Sequence, residues 1–285
     1  MEYKTFAPPP HLEDLVQCFW SLQSSEDNIT PKEYFLMADG CPEIIFQYNE
    51  GFQKYLKQSA RVRFQHSVFE RFDVGRNVGF FGVRLYPHAI SQLLKMPANE
   101  GINHVFDFTV LFKQDGENLA DQVYAAKTSA ERVALVSDFL TEKAINNKPD
   151  PIEYLVKQVI EQAGQVDISK IQQQSNLSVK QFERRFKTIA GFSPKYFTRI
   201  ARFQGVRTKY CSGQFESLTG LAYSCNYYDQ SHFIREFKEF SGVQPLHYLR
   251  FVEKGNAGVS KKSKNIGTFR TMPQFDGYLP CGLFV

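Results

Sequence analysis

In the second half of the chain apolar side chains recur at i, i+4 and i+7, the spacing of a helix with one buried face. Phe182, Phe186 and Ile189 make one such stripe, and Phe233, Phe237 and Phe240 make a second. Each stripe follows a residue suited to an N-cap, Ser178 in the first case and Asp229 in the second. Gln181 completes an S-x-x-Q capping box after Ser178. These signals predict helices over residues 178–190 and 229–240. A shorter apolar pattern precedes each, over residues 168–174 and 218–224, and a tight polar turn follows it, Ser175-Asn176 and Asn226-Tyr227. Between the two units, residues 194–211 read as a further helix, roughly 25 Å long at about 1.5 Å per residue.

The two units are copies of one another. Ser178, Phe182, Arg184, Phe186, Lys187, Gly191 and Pro194 are answered by Asp229, Phe233, Arg235, Phe237, Lys238, Gly242 and Pro245, each 51 residues further on. Drift does not hold one offset across so many residue types, so this is an internal repeat. Upstream, Ile168 and Ile171 answer to Leu218 and Leu221 at an offset of 50, which places a one-residue insertion in the turn of the second copy. On the first predicted helix Lys180, Arg184 and Lys187 share a face away from the Phe stripe. On the second, Gln230, Ser231, Arg235 and Lys238 take the outer surfaces. Helix, short turn, then a helix with outward basic and amide side chains is a helix-turn-helix arrangement. Taken alone, a Phe stripe is commonly only core and a Lys/Arg face only solvated. Two equivalent cationic helices at a fixed separation, however, suit a repetitive polyanion.

The first half has a different pattern. Residues 34–48 and 77–86 are rich in Phe, Ile, Val and Tyr with Gly and Pro punctuation and read as strands, with 61–69 as a third. Asp39-Gly40, followed by Cys41-Pro42, reads as a turn pairing the strand segments on either side of it. The period changes to a helical one over 89–94 and 118–146, with Leu119, Val123, Val133, Val136, Phe139 and Leu140 as the buried positions. Phe19 and Trp20 read as core near the start. Asn146-Asn147-Lys148-Pro149-Asp150-Pro151 breaks the pattern and marks the domain boundary. The expected organisation is an α+β amino-terminal domain over residues 1–147, a small β-barrel-like sheet plus helices, followed by an all-α domain with two helix-turn-helix units over 148–252. Residues 253–285 form a basic and apolar tail. In it Lys261, Lys262 and Lys264 form a basic run, and Phe269, Phe275, Tyr278, Leu279, Leu283 and Phe284 suggest docking on the body or on a partner.

Charge separates the halves. Residues 1–149 carry 15 basic and 19 acidic groups, residues 150–254 carry 15 and 10, and residues 255–285 carry 4 and 1. Cationic charge therefore gathers where the repeat lies, as expected of a phosphate-binding module. The five cysteines, Cys18, Cys41, Cys211, Cys225 and Cys281, include no C-x-x-C pair and form neither a disulfide nor a zinc framework, which fits a reducing cytoplasm. No stretch has the apolar length of a signal peptide core or a membrane span.

Residues 150–250 resemble the DNA-binding domain of AraC/XylS-type transcription regulators, most closely through Tyr227-Tyr228-Asp229-Gln230-Ser231-His232-Phe233-Ile234-Arg235-Glu236-Phe237-Lys238 and Gly242-Val243-Gln244-Pro245-Leu246-His247-Tyr248. That family usually enters the second copy through Gly-Phe-Ser-Asp, where this chain has Asn226-Tyr227-Tyr228-Asp229; Asn also tolerates positive φ. The resemblance implies that residues 178–190 and 229–240 are reading helices entering successive major grooves, about 34 Å apart. It places the base-facing positions on Lys180, Glu183 and Arg184, and on Gln230, Ser231, His232 and Arg235. Ser178, Gln181, Lys187 and Lys238 complete the DNA-binding set. Arg can fork onto guanine, Gln can pair with adenine, and a carboxylate can accept from cytosine N4. Glu183 has two readings, a cytosine contact or a partner orienting Lys180 or Lys187 one turn away.

The sensor half resembles, through Leu36-Met37-Ala38-Asp39-Gly40-Cys41-Pro42-Glu43-Ile44-Ile45-Phe46 and Phe81-Gly82-Val83-Arg84-Leu85-Tyr86-Pro87, the domains found ahead of AraC-like modules. Those are commonly small β-barrels with helices that dimerise or receive a signal. The implied molecule is a bacterial, cytoplasmic transcription regulator, an activator or a repressor, and not an enzyme. Its partners are double-stranded DNA, a small-molecule effector, RNA polymerase and a second copy of itself, with no membrane, cofactor or metal. The dimer expectation rests on Val123, Val133, Val136 and Leu140 as a stripe open to a helix partner. Glu43 and Arg84, charged residues inside apolar strands, are either ligand-binding partners facing a pocket or a structural ion pair or edge residues. His66, His88 and His104 lie too far apart for a helical metal motif. The rival reading is a DNA alkylation-repair or sensor enzyme using a cysteine acceptor such as Cys41 on the same DNA-binding module.

Overall fold

The structure, a computed structural model, describes residues 2–23, 32–48, 59–74, 79–144, 150–211, 215 and 217–248. The boundary expected near residues 146–149 and the 253–285 tail lie outside the described residues. Eight strands occur among them: β1 (Glu2–Phe6), β2 (Val16–Gln23), β3 (Lys32–Leu36), β4 (Glu43–Tyr48), β5 (Ser59–Arg63), β6 (Glu70–Val74), β7 (Gly79–Leu85) and β8 (Val105–Asp107). Six form one antiparallel sheet in the order β1-β2-β7-β4-β5-β8, while β3 and β6 form a separate ribbon. The expected barrel-like domain is thus a six-stranded sheet and a ribbon with helices packed on them.

Period-two alternation sorts the sheet's two faces. Ile44, Phe46 and Tyr48 of β4, Ala60 and Val62 of β5 and Phe81, Val83 and Leu85 of β7 pack in one apolar core. Phe19 of β2 joins that core, while Trp20, the next residue, is buried on the opposite face against Gly82. Helices α1 (Pro87–Leu94), α2 (Phe108–Ala125) and α3 (Ser129–Ala144) cover this face. Phe46, for example, meets Phe108 edge-on with ring centres 5.4 Å apart. Each such Phe contributes about 1.5–3 kcal/mol by leaving water.

Two expectations are corrected here. Asp39-Gly40 is not a hairpin turn. β3 pairs with β6, Tyr34 opposite Phe72, whereas β4 pairs with β5 and β7, so the strands flanking this dipeptide enter different sheets. The turn chemistry is local, but the pairing it would imply was outcompeted by segments more than thirty residues away. The helical stripe over 118–146 belongs to α2 and α3, and Val123, Val136 and Leu140 are fully buried in the chain's own core with Val133 packed at its edge. That stripe is therefore not open to a second copy.

The second half is helical: α4 (Pro151–Glu161), α5 (Ile168–Gln174), α6 (Val179–Ala190), α7 (Pro194–Cys211), α8 (Leu218–Ser224) and α9 (Gln230–Ser241). The reading-helix and connector bounds agree with the sequence pattern to within a residue. Phe182, Phe186 and Ile189 of α6 and Phe233, Phe237 and Phe240 of α9 share one core with α4 and α7. That core does not stop at the linker. Met37 and Ala38 from the amino-terminal half belong to it, and the Ala38 amide donates to the Phe240 carbonyl at 2.9 Å. Gly40 lies so close to the Phe197 ring that a Cβ there would come within 2.6 Å of it. The segment read as a hairpin turn is thus the plug between the two halves.

Candidate nucleic-acid interface

The start of α6 is built by its sequence. The Ser178 side chain accepts from the Gln181 amide while the Gln181 side-chain oxygen accepts from the Ser178 amide at 3.1 Å, a complete capping box. Ser178 and Gln181 therefore shape the helix entry, whatever else they touch. Lys180, Glu183, Arg184 and Lys187 are all exposed on the face opposite Phe182 and Phe186. Glu183 makes no ion pair with Lys180 or Lys187, so the orienting role is not seen and its carboxylate stays on the surface. Gly191 ends the helix at φ +87, a conformation that glycine enters without strain.

α9 repeats the plan with one difference. Asp229 caps it by accepting from the His232 amide at 2.7 Å, and Gly242 ends it at φ +74. Gln230, Ser231, Arg235 and Lys238 are exposed. The Gln230 side-chain oxygen accepts from the Thr219 hydroxyl at 3.2 Å, which leaves its amide nitrogen directed elsewhere. His232 is half-buried, edge-on to Tyr227 at 5.4 Å and 3.6 Å from the Glu236 carboxylate, so its imidazole leans toward the protein. The departure from the usual entry is absorbed by asparagine: Asn226 takes φ +60, and its counterpart Asn176 in the first turn takes φ +53. α7, 18 residues long and so about 27 Å at 1.5 Å per residue, connects the two units and packs against both α6 and α9.

The sheet face opposite the apolar core carries charge. Register sets Glu43 beside Arg63 on β5 and Arg84 on β7. Arg63 Nη2 lies 2.6 Å from Glu43 Oε2, Arg84 Nη1 lies 3.2 Å from Glu43 Oε1, and Arg84 Nη2 donates to Asp39 Oδ1 at 2.6 Å. All four are buried. Glu43 and Arg84 are paired with each other, within a four-residue row in which sequence reasoning missed Arg63 and Asp39. An opposite charge at each step offsets the cost of removing them from water. Arg84 and Asp39 also line a cavity of about 660 Å³ between the two halves, closed by Ile160, Phe197, Ile200 and Gln204. Glu43 does not line it.

Cys41 is buried and accepts from Gln17 Nε2 at 2.9 Å. Burial pushes the Cys225 thiol up. The histidines considered for metal binding lie apart in function as well: His66 exchanges backbone hydrogen bonds with Asp39, His88 is buried against the Asp14 carbonyl, and His104 bonds the Ile102 carbonyl. Among the described residues no group of three or more His, Cys, Asp or Glu side chains is arranged to hold a metal ion. No helix among them is long and apolar enough to cross a membrane.

Residues 172–250 match the family described as a helix-turn-helix domain, and residues 4–107 match a domain of unknown function, DUF6597. No curated relative matches the sequence. Among solved structures the chain is similar to ToxT from Vibrio cholerae, at 14% identity over 81% of this chain and 95% of that one, with a TM-score of 0.43. An unsaturated fatty acid bound ToxT from the same species aligns at 12% identity over 81% and 93%, with a TM-score of 0.40. The DNA-binding domain of AdpA in complex with a target DNA aligns at 19% identity over 39% of this chain and 99% of that domain, with a TM-score of 0.36. The helix-turn-helix match spans α6 to α9.

Proposed function

We propose that this chain, a transcription regulator with an AraC-type helix-turn-helix domain at residues 172–250, reads two successive major grooves with α6 and α9 and is controlled through its amino-terminal half. One observation carries the reading. Both packed on α7, α6 and α9 bury equivalent Phe pairs and expose equivalent cations, Arg184 with Lys187 and Arg235 with Lys238. Arg184 and Arg235 are the base readers in this account, since a guanidinium can fork onto guanine O6 and N7, with Gln230 suited to adenine. Lys187 and Lys238 bind phosphates.

Control is supported by the plug. Met37 and Ala38 of the amino-terminal half sit in the core of the helical half, and the 660 Å³ cavity lined by Asp39 and Gly40 is of a size that holds small molecules. An effector seated there would touch α7, the element that sets the separation of the two reading helices.

Competition binding on DNA upstream of the protein's own gene tests the reading. Arg184→Ala and Arg235→Ala each cost about 1–3 kcal/mol on the preferred site and leave nonspecific binding intact. Lys187→Ala weakens all sequences alike and lowers the salt slope by about 1. Arg variants that keep the full wild-type preference would contradict it.

A further inference from the structure

Glu236 directly follows the base-facing Arg235, so it lies about 100° further round α9 and points into the protein. It is 1% exposed, and an unpaired carboxylate there would be costly. Its two oxygens are held from α7. Arg199 Nε lies 2.7 Å from Oε2, Arg202 Nε lies 3.3 Å from Oε1, and Arg202 Nη2 donates to Oε2 at 3.3 Å. Arg199 and Arg202 stand three residues apart, on one face of the connector. Arg202 also donates to the Asn226 carbonyl at 3.3 Å and lies 4.6 Å over the Tyr227 ring, so the same guanidinium grips the helix-turn-helix turn. Arg199 extends to Glu239 one turn further along α9.

We propose that Glu236 is a positioning residue for DNA recognition: through Arg199 and Arg202 it fixes the rotation of α9 about its own axis relative to α7, and so fixes where Arg235 and Gln230 point. This rests on the two-groove reading. The Phe packing of α9 is not directional, whereas charge-assisted hydrogen bonds from two arginines to both oxygens of one carboxylate are. The first copy is built otherwise. Its equivalent position, 51 residues earlier, is Arg185, which is exposed and pairs with Asp150 at the start of α4 rather than with α7. Only the second reading helix is therefore tied to the connector by a buried ion cluster among the described residues, and its registration on DNA depends on that tie.

The experiment uses the full chain and a selected DNA site with its two sequence elements, together with versions carrying one base pair inserted or removed between them. Wild type should lose about tenfold or more in affinity at either altered spacing, the order of one lost base contact. Glu236→Gln should bind the three spacings within about threefold of one another, with unchanged nonspecific affinity and salt slope. Arg202→Lys, which keeps the charge and loses the fork, should flatten the profile in the same direction, and it carries the test if Glu236→Gln does not fold. A folded variant that keeps the wild-type spacing profile, or that weakens all three spacings equally, overturns the proposal and leaves the two-groove reading standing. Wild-type indifference to spacing overturns that reading and the proposal with it.

Discussion

Burial decides the protonation of His88. Its Nε2 bonds the Asp14 carbonyl at 2.7 Å, while Nδ1 is buried without a hydrogen-bond partner, so a second proton would place an unpaired charge in the interior. The pKa is accordingly pushed from 6.5 down to about 4, by burial first and by Lys157 as a lesser cause. Between those values the unfolded chain binds a proton that the folded chain refuses. The stability this group supports is present above its unfolded pKa and is lost as pH falls toward about 4. Urea unfolding should give a protein about 2 kcal/mol less stable at pH 5 than at pH 7 from this group alone, a dependence that His88→Gln removes. Equal pH dependence in the two proteins would contradict the assignment. At this scale the charges of Glu43 and Arg84 were legible because they interrupt apolar strands. Arg63 was not, although it sits between Val62 and Phe64, because recognising its partner needs the strand register.

The helices repay the sequence's local signals. Ser178→Ala removes half of the capping box of α6 and should cost about 1 kcal/mol in thermal or chemical unfolding. A cost near zero would mean that the box observed in the structure does no work at the helix start. Caps and Phe stripes act within one or two turns, and the offset of 51 repeats them, so α5 to α9 were readable to a residue. The sheet was not readable in this way. β3 resembles half of a hairpin with β4, yet its partner β6 lies beyond both β4 and β5 in the chain. Period-two patterning identifies a strand, and only long-range competition selects its neighbour. Glu236 escaped for a related reason. Its helical position pointed inward, but the arginines that neutralise it lie on another helix.

For the whole molecule, the apolar cores of the two halves meet where residues 37–40 cross between them. Gly40→Val would drive a side chain into the Phe197 ring, and overpacking of that kind typically costs about 1–3 kcal/mol. The wild-type chain should therefore unfold in one transition, and Gly40→Val should separate it into two by freeing the helical half from the amino-terminal half. Two independent transitions in the wild type would mean that the plug does not couple them. The central claim is that α6 and α9 read two sequence elements one helical turn apart. Selection of bound sequences from random DNA with the full chain tests it most directly. Wild type should return two conserved elements about 10–10.5 base pairs apart, centre to centre. Arg184→Ala should flatten one of them and Arg235→Ala the other. A single element, or the same pair of elements from both variants as from wild type, would contradict the account.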